Sequence, residues 1–389
     1  MLTSRSPYPL TAGYRLRIHY LAKLLSRHHN VDLLCLQPVK PEDSDLSPFT
    51  QVFTFPMSTA QLGFHAIRHW VKGWPLQVGG YFDRKVSRWL KEHAGNYDII
   101  YVHHVRMAPY AIELGRYRIL DYHDAISMHY QRAIPYAKGF WKAFYLSENK
   151  RVLSYELEML RKFDKAFIVS SVDKEYLLTN LKQSNPVAVS CSIVVIPMGV
   201  KEEVLKRRPN TQPEENRIVF LGKMNYYPNE DAAIYFAKEI FPLVKEKIKD
   251  LEFVIVGAYP TKRVFKLEKI KDVRVTGFVE DPYEYLERAK VVVAPMRFGA
   301  GIQNKILEAM ALRKAVVTTP VGAQGIEGED GKHFVVADRP EEMAEKIMEL
   351  LNDVEKRKVI GQNTRALIEE KYTWNIIGQK LLKEIEEAI

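Results

Sequence analysis

Lys305 and Glu308 stand three residues apart, just behind the glycine-rich stretch Arg297-Phe-Gly-Ala-Gly-Ile302. On a helix that spacing puts both side chains on one face. An ammonium there could meet a phosphate while the carboxylate accepts hydrogen bonds from vicinal hydroxyls. Gly299 and Gly301 remove side chains where backbone must come close to a ligand, and the free N–H groups opening a helix over 302–312 favour an anion. Spacing alone leaves an ordinary surface ion pair as an equal reading. Lys223, directly after Gly222, offers a second cation, with a solvated strand-end lysine as the alternative. His123 lies in Asp121-Tyr-His-Asp124, where an imidazole can hydrogen-bond or share a proton near neutral pH; by itself it reads as a core or loop histidine. Asp124 could orient His123 or touch a substrate, provided the strand has ended before it, since strand neighbours point to opposite faces. Gly13 and Arg17 follow the turn-rich Pro7-Tyr-Pro9. Each alone reads as a turn glycine and a helix-surface arginine.

These residues need rigid elements behind them. Short β-branched runs alternate with longer amphipathic stretches, which predicts two α/β units with parallel sheets. In the first half strands are expected at 31–36, 52–55, 98–102, 118–122, 166–170 and 193–197. In the second they are expected at 217–221, 252–257, 273–276, 290–295, 315–319 and 333–337. Each candidate residue then sits at the carboxyl end of a strand or in the helix after it. The charged stretch 199–216, with Pro209 and Pro213, has little apolar periodicity and reads as a linker.

Composition bounds the answer independently. A chain of 389 residues, 47% hydrophobic, exceeds the usual single-core size and predicts two domains. Cys35 and Cys191 are far apart and outside any CxxC or Cys/His cluster, so neither a disulfide framework nor a zinc site is indicated and a reducing cytoplasm is the expected compartment. No apolar run is long enough to span a bilayer, and Arg5, Pro7 and Pro9 interrupt any signal peptide. Residues 1–200 hold 25 Lys and Arg against 16 Asp and Glu, whereas 201–389 hold 32 of each. The whole net charge of +9 therefore lies in the first half. A basic amino-terminal domain suits an anionic acceptor or an anionic membrane surface. Nucleic acid is not an expected partner, because no helix-turn-helix, RNP-like or zinc-finger pattern accompanies the charge. Aromatics and cations mix over 64–74, from Phe64 to Trp74, and again over 136–145, as on an interfacial helix, with burial between helices as the alternative. A nicotinamide oxidoreductase is disfavoured, since no strand runs into G-x-G-x-x-G with a following acidic residue.

The segment from Ala294 to Ala311 resembles the donor-binding motif of retaining family 4 glycosyltransferases, which have the two-domain GT-B fold. Gly301-Ile-Gln-Asn-Lys-Ile-Leu-Glu-Ala-Met-Ala311 resembles the form found in the sugar transferases associated with PEP-CTERM/exosortase systems. The likeness extends to Phe220-Leu-Gly-Lys-Met-Asn-Tyr-Tyr-Pro-Asn-Glu-Asp231, Val275-Thr-Gly-Phe-Val279, Tyr372-Thr-Trp374 and Arg5-Ser-Pro-Tyr-Pro9 with Gly13 and Arg17. It spans nearly the whole chain.

This resemblance implies two Rossmann-like α/β domains with parallel sheets facing across a cleft, closing to exclude water. Residues 1–200 would bind the acceptor, residues 201–373 the nucleotide-sugar donor, and a terminal helix at 374–389 would pack back on the first domain. By the same likeness Lys223 and Lys305 hold the departing diphosphate and Glu308 the donor ribose. Gly301, Ile302, Gln303 and Asn304 line the transferred sugar, Asn225 lies in the same donor loop, and Phe278 and Val279 read the base. Gly13 and Arg17 approach the diphosphate from the first domain, and His123 stands beside the donor sugar. The chain departs from the family pattern in three places. Ala300 replaces the first glutamate of the E-x7-E signature; a second basic residue expected near Asn229 is missing; and only Met1-Leu2-Thr3 precedes Ser4, so the first strand looks clipped. The implied activity is retaining transfer of a hexose-type sugar to a glycan or polyprenyl-linked acceptor in polysaccharide synthesis, with no cofactor and no metal, in the cytoplasm or on the inner membrane face. A GT-B epimerase or phosphorylase, or a catalytically weak nucleotide-sugar-binding scaffold, remains open.

Overall fold

The computed structural model describes residues 1–39, 45–184, 191–208 and 213–388. The chain divides into two compact units, Met1–Met198 with Ile377–Ile389, and Gly199–Ile376. The aliphatic runs form parallel strands, as expected where a sheet is covered on both faces.

In the first unit the strands are β1 (Leu2–Thr3), β2 (Leu33–Cys35), β3 (Val52–Thr54), β4 (Ile99–His103), β5 (Tyr117–Asp121), β6 (Lys165–Ile168) and β7 (Ser192–Val195). They pair in the order β3-β2-β1-β4-β5-β6-β7. The two-residue β1 occupies the middle of this sheet: Thr3 stands in register with Cys35 on one side and His103 on the other. Most of the Trp374–Glu386 helix belongs to this unit. Lys165 Nζ donates to the Glu384 carboxylate at 2.8 Å and its carbonyl at 2.9 Å. A Cβ on Gly378 would lie 2.6 Å from Leu24 Cδ2, so the glycine lets this helix approach the Gly13–Leu25 helix without displacing the Leu24 side chain.

In the second unit β8 (Glu215–Leu221), β9 (Glu252–Val256), β10 (Val273–Gly277), β11 (Ala289–Ala294), β12 (Val316–Thr318) and β13 (Val335–Val336) pair as β10-β9-β8-β11-β12-β13. Counted from each unit's own first strand, both sheets begin 3-2-1-4-5-6, the Rossmann order. The order reverses between β1 and β4 in one unit and between β8 and β11 in the other. In open α/β sheets ligands bind outside the carboxyl ends of the strands at that switch point.

All the expected strands form, and most differ in length by a residue or two at each end. The expected linker contains a short helix, Glu202–Lys206, and the start of β8, while its residues 209–212 lie outside the described residues. The helix expected from 302 begins at Asn304.

Candidate active site

The second unit's switch point carries most of the candidate donor residues. β8 ends at Leu221, and Gly222 and Gly257 let the ends of β8 and β9 meet: a Cβ on Gly257, whose φ is +146°, would stand 1.8 Å from the Gly222 carbonyl oxygen. Next comes the exposed Lys223, whose Nζ lies 5.2 Å from the Tyr259 ring centroid. Asn229, at the start of the Tyr227–Tyr235 helix, ties the two loops together. Its Nδ2 donates to the Lys223 carbonyl at 3.0 Å, and its Oδ1 accepts from Lys305 Nζ at 2.6 Å. The position where a second cation was expected therefore holds the residue that aims Lys305.

Lys305 also donates to Gln303 Oε1 at 3.3 Å and lies 5.5 Å from the Phe220 ring centroid. Burial lowers its ammonium to about 7, against a smaller opposing pull from Glu308. A part-buried cation held on neutral partners gains more from an arriving diphosphate than one already paired. The Lys305–Glu308 ion pair that their spacing allows does not form among the described residues. Glu308 Oε1 instead accepts from Tyr283 Oη at 3.1 Å. Burial raises the Glu308 carboxyl, outweighing Lys201, Tyr283 and Lys305, and hydroxyls donated by a ribose would relieve that cost. Tyr283 lies in the first turn of the Pro282–Arg288 helix, whose cap Asp281 accepts from the Tyr283 N–H at 3.0 Å.

Between β11 and the Asn304–Ala311 helix the glycine loop turns through Gly301 at φ +67°, a conformation that disfavours a side chain. Arg297 anchors the loop to Asp231 through Nε at 2.8 Å and Nη2 at 2.5 Å. Ile302 and Ala300 are buried, and Asn304 Oδ1 is buried with no hydrogen-bond partner. Gln303 caps the helix with its carbonyl, leaving the first-turn amides directed at the loop. Phe278 is 79% exposed beyond β10, two strands away from β8 in the sheet order, with Val279 half-buried beside it. Asn225 is exposed in the turn after β8. Among the described residues no hydrogen bond or cation-π pair joins Phe278, Val279 or Asn225 to Lys305.

In the first unit the structure corrects two expectations. Arg17 does not offer charge to a phosphate: it is fully buried, with Nε and a second nitrogen on the two Asp121 oxygens at 2.7 and 3.0 Å. Its remaining nitrogen donates to the Ile196 and Pro197 carbonyls at 2.7 and 3.2 Å. Arg17 is thus a structural cation that fixes the ends of β5 and β7. The second correction concerns His123, whose imidazole is held at about 3 by burial and then by Arg17 and His103. It stays neutral near pH 7, so it can hydrogen-bond to a ligand but does not share a proton there. β5 has ended at Asp121, and His123 turns at φ +66° with its N–H on Asp121 Oδ1 at 3.2 Å. Asp124 therefore lies in a turn rather than a strand. Burial and then Asp173 raise its carboxyl to about 7. Gly13 opens the Gly13–Leu25 helix, behind Ala12, which supplies no side-chain cap.

Asp121, Asn229, Asp231 and Tyr283 are the positioning residues that sequence reasoning did not single out. Asn229 and Asp231 lie inside a segment quoted for the resemblance and Asp121 in the stretch quoted around His123, which was the available signal; Tyr283 had none. Among the described residues no group of three or more His, Cys, Asp or Glu is placed to hold a metal ion, and no helix is long and apolar enough to cross a membrane.

Residues 13–204 match the family model described as Glycosyltransferase Family 4, and residues 215–353 match Glycosyl transferases group 1. An uncharacterized protein of the cps region of Klebsiella pneumoniae is 24% identical over 401 residues, covering 99% of this chain and 98% of that protein. CapM of Staphylococcus aureus, a capsular polysaccharide biosynthesis glycosyltransferase, is 26% identical over 251 residues, 60% of this chain and 64% of CapM. Among solved structures, a sucrose-phosphate synthase from Thermosynechococcus elongatus has a TM-score of 0.74 at 14% identity, covering 99% of this chain and 97% of that one. HepE of Anabaena in complex with UDP-glucose has a TM-score of 0.67 at 15% identity, with 99% and 98% covered. At those identities the structural likeness speaks for the fold alone. Two family models that between them take in both units, joined to a GT-B fold of two Rossmann-like α/β units, place this chain in glycosyltransferase family 4.

Proposed function

We propose that this glycosyltransferase moves a hexose-type sugar, with retention, from a nucleoside diphosphate donor to a glycan or polyprenyl-linked acceptor in cell-surface polysaccharide synthesis. It would be of the kind associated with PEP-CTERM/exosortase systems. The observation that carries the donor reading is the divergence of Lys305 and Glu308: one rests on neutral partners at 2.6 and 3.3 Å, the other on Tyr283 at 3.1 Å. An ammonium and a carboxylate on one helix face, each left to a ligand, suit a diphosphate and a ribose. HepE, solved with UDP-glucose, and CapM, a capsular polysaccharide enzyme, support the donor class and the pathway class.

In this reading the second unit binds the donor and the first unit the acceptor. The anomeric carbon–oxygen bond to the diphosphate breaks and a bond to the acceptor oxygen forms on the same face. The acceptor's proton passes to the leaving phosphate oxygen. Lys305, Lys223 and the amino end of the Asn304–Ala311 helix stabilise the charge that develops on the diphosphate, so the proposal calls on no metal and no cofactor. The neutral His123 hydrogen-bonds near the transferred sugar, and Gly301 to Asn304 stand in for the carboxylate that Ala300 lacks. Phe64, Ile67 and Val71 are exposed at 63%, 66% and 76% on one face of the Thr59–Trp70 helix and the residue after it, and suit an anionic membrane surface on the cytoplasmic side.

Nucleotide release from a panel of nucleotide sugars tests the reading, with acceptor absent, in solution, or displayed on anionic vesicles. Release that requires acceptor, with the product's anomeric proton retaining the donor's configuration by NMR, is the expected result. Acceptor-independent turnover would point to an epimerase or phosphorylase, and binding without turnover to a scaffold.

A further inference from the structure

The first unit's switch point gathers positive charge that the donor reading does not use. Arg5 follows β1 and Arg106 follows β4, and Thr3 and His103 are in register, so both arginines leave the sheet at one carboxyl edge. They meet at Tyr81. Arg5 Nε donates to Tyr81 Oη at 3.3 Å, and the Arg106 guanidinium carbon lies 5.3 Å from the Tyr81 ring centroid. The Tyr14 ring lies 5.6 Å from the Arg5 guanidinium, and Arg106 Nε donates to His104 Nδ1 at 3.0 Å.

Neutral partners hold this pair. Arg17, Arg118, Arg207, Arg297 and Arg357 each hold a carboxylate. Arg5 and Arg106 are half-buried, and among the described residues they have a phenol and an imidazole but no carboxylate within ion-pair distance. Asp124 feels Arg106 but forms no ion pair with it. Burial would raise the Tyr81 hydroxyl, yet Arg106 and Arg5 outweigh it and hold the hydroxyl below its ordinary value. The same edge has unsatisfied polar atoms. His103 is 3% exposed and its Nε2 has no hydrogen-bond partner, nor does His123 Nδ1. The His103 ring lies 6.4 Å from His104 and 5.9 Å from His123.

We propose that Arg5 and Arg106, held on either side of Tyr81, bind a phosphate group carried by the acceptor. Two guanidinium forks with fixed charge match a phosphate dianion in charge and in geometry, and the tyrosine rings orient them before it arrives. The assignment rests on the transferase reading and names the chemistry of its acceptor. That phosphate could belong to a soluble sugar phosphate or to the diphosphate of a polyprenyl-linked sugar.

Calorimetric titration of inorganic phosphate into the wild type, Arg5→Gln, Arg106→Gln and Lys305→Ala tests it. The wild type and Lys305→Ala should bind, and each arginine variant should bind roughly tenfold or more weakly while keeping its affinity for a nucleotide sugar and its melting temperature. Should Arg106→Gln unfold, the more peripheral Arg5→Gln carries the test. Phosphate binding absent from the wild type, unchanged in both arginine variants, or lost only in Lys305→Ala would overturn the assignment. A wrong transferase reading shows itself separately, as a wild type that binds no nucleotide sugar. Turnover with a hexose phosphate in solution, compared with phosphatidylcholine vesicles containing a polyprenyl diphosphate-linked sugar, separates the two sources. In the arm that works, Arg5→Gln should raise KM with little change in kcat, and an unchanged KM there would contradict the proposal.

Discussion

Lys305→Met is expected to lower kcat by about a hundred- to a thousandfold, the usual cost of removing one preorganised charge-stabilising group from a site where a leaving group develops charge. Methionine keeps the stem and the packing against Phe220 but removes the charge and the bond to Asn229. The pH dependence of donor binding offers a second signature. The free ammonium titrates at about 7, and it is the charged form that attracts a diphosphate. A bound diphosphate raises that value, so binding above it must take up a proton. Donor affinity should therefore fall as pH rises from about 7, by at most roughly tenfold per unit, until the bound-state value is reached. Calorimetry in two buffers of different ionisation enthalpy reads the proton directly. In Lys305→Met both the uptake and the slope should vanish, and a slope that survives would assign the proton to another group.

Asp121→Asn is expected to destabilise the first unit by about 3–5 kcal/mol, because it leaves a fully buried guanidinium without its counter-charge. The carboxylate accepts from Arg17, from Tyr101 Oη at 2.7 Å and from His103 Nδ1 at 3.2 Å, so no other residue can replace it. Burial alone would raise this carboxyl, but Arg17 and His103 outweigh it and hold it well below the ordinary carboxylate range. A depressed folded-state value means that the pair's stabilisation is present above the unfolded carboxylate value and fades only as pH falls through the folded one. Urea unfolding of the wild type should thus lose this contribution only in strong acid, and the variant should lack that loss. Lys358→Ala is a suitable control, since its partner is Glu355 and the two side chains are 62% and 79% exposed; that change should cost under about 1 kcal/mol. Comparable losses from both substitutions would show that the Arg17–Asp121 pair does not hold the unit together.

The strands were legible because a parallel sheet covered on both faces asks for the same thing at every position, an aliphatic run, and 291–294 or 253–256 carry one. Helix starts were less so. Ile302 looks like the first residue of an apolar periodicity, yet Gly301 turns the chain there and the helix waits until Asn304. Arg17 was misread for a related reason. Periodicity assumes one wet face, but the Gly13–Leu25 helix is buried continuously from Leu16 to Ala22, so an arginine inside it must find a carboxylate, and Asp121 lies 104 positions away. Long-range partnerships of this kind leave no local trace. The same holds for Asn229 with Lys305 and for Tyr283 with Glu308, pairs joined only when β8, β11 and the helix before β11 come together at one sheet edge. Candidate residue types can be named from sequence, whereas the residues that hold them in place cannot.

The central claim is that the second unit grips a nucleoside diphosphate sugar through Lys305 and Glu308. Equilibrium binding of a nucleotide-sugar panel to the wild type and to Glu308→Ala tests it most directly. The expected result is that one donor binds the wild type and binds the variant roughly ten- to a hundredfold more weakly, as for the loss of a charged hydrogen-bonding partner. The fold should be unchanged by circular dichroism. If no donor binds the wild type, or if the selected donor binds the variant equally well, the account of this site is wrong.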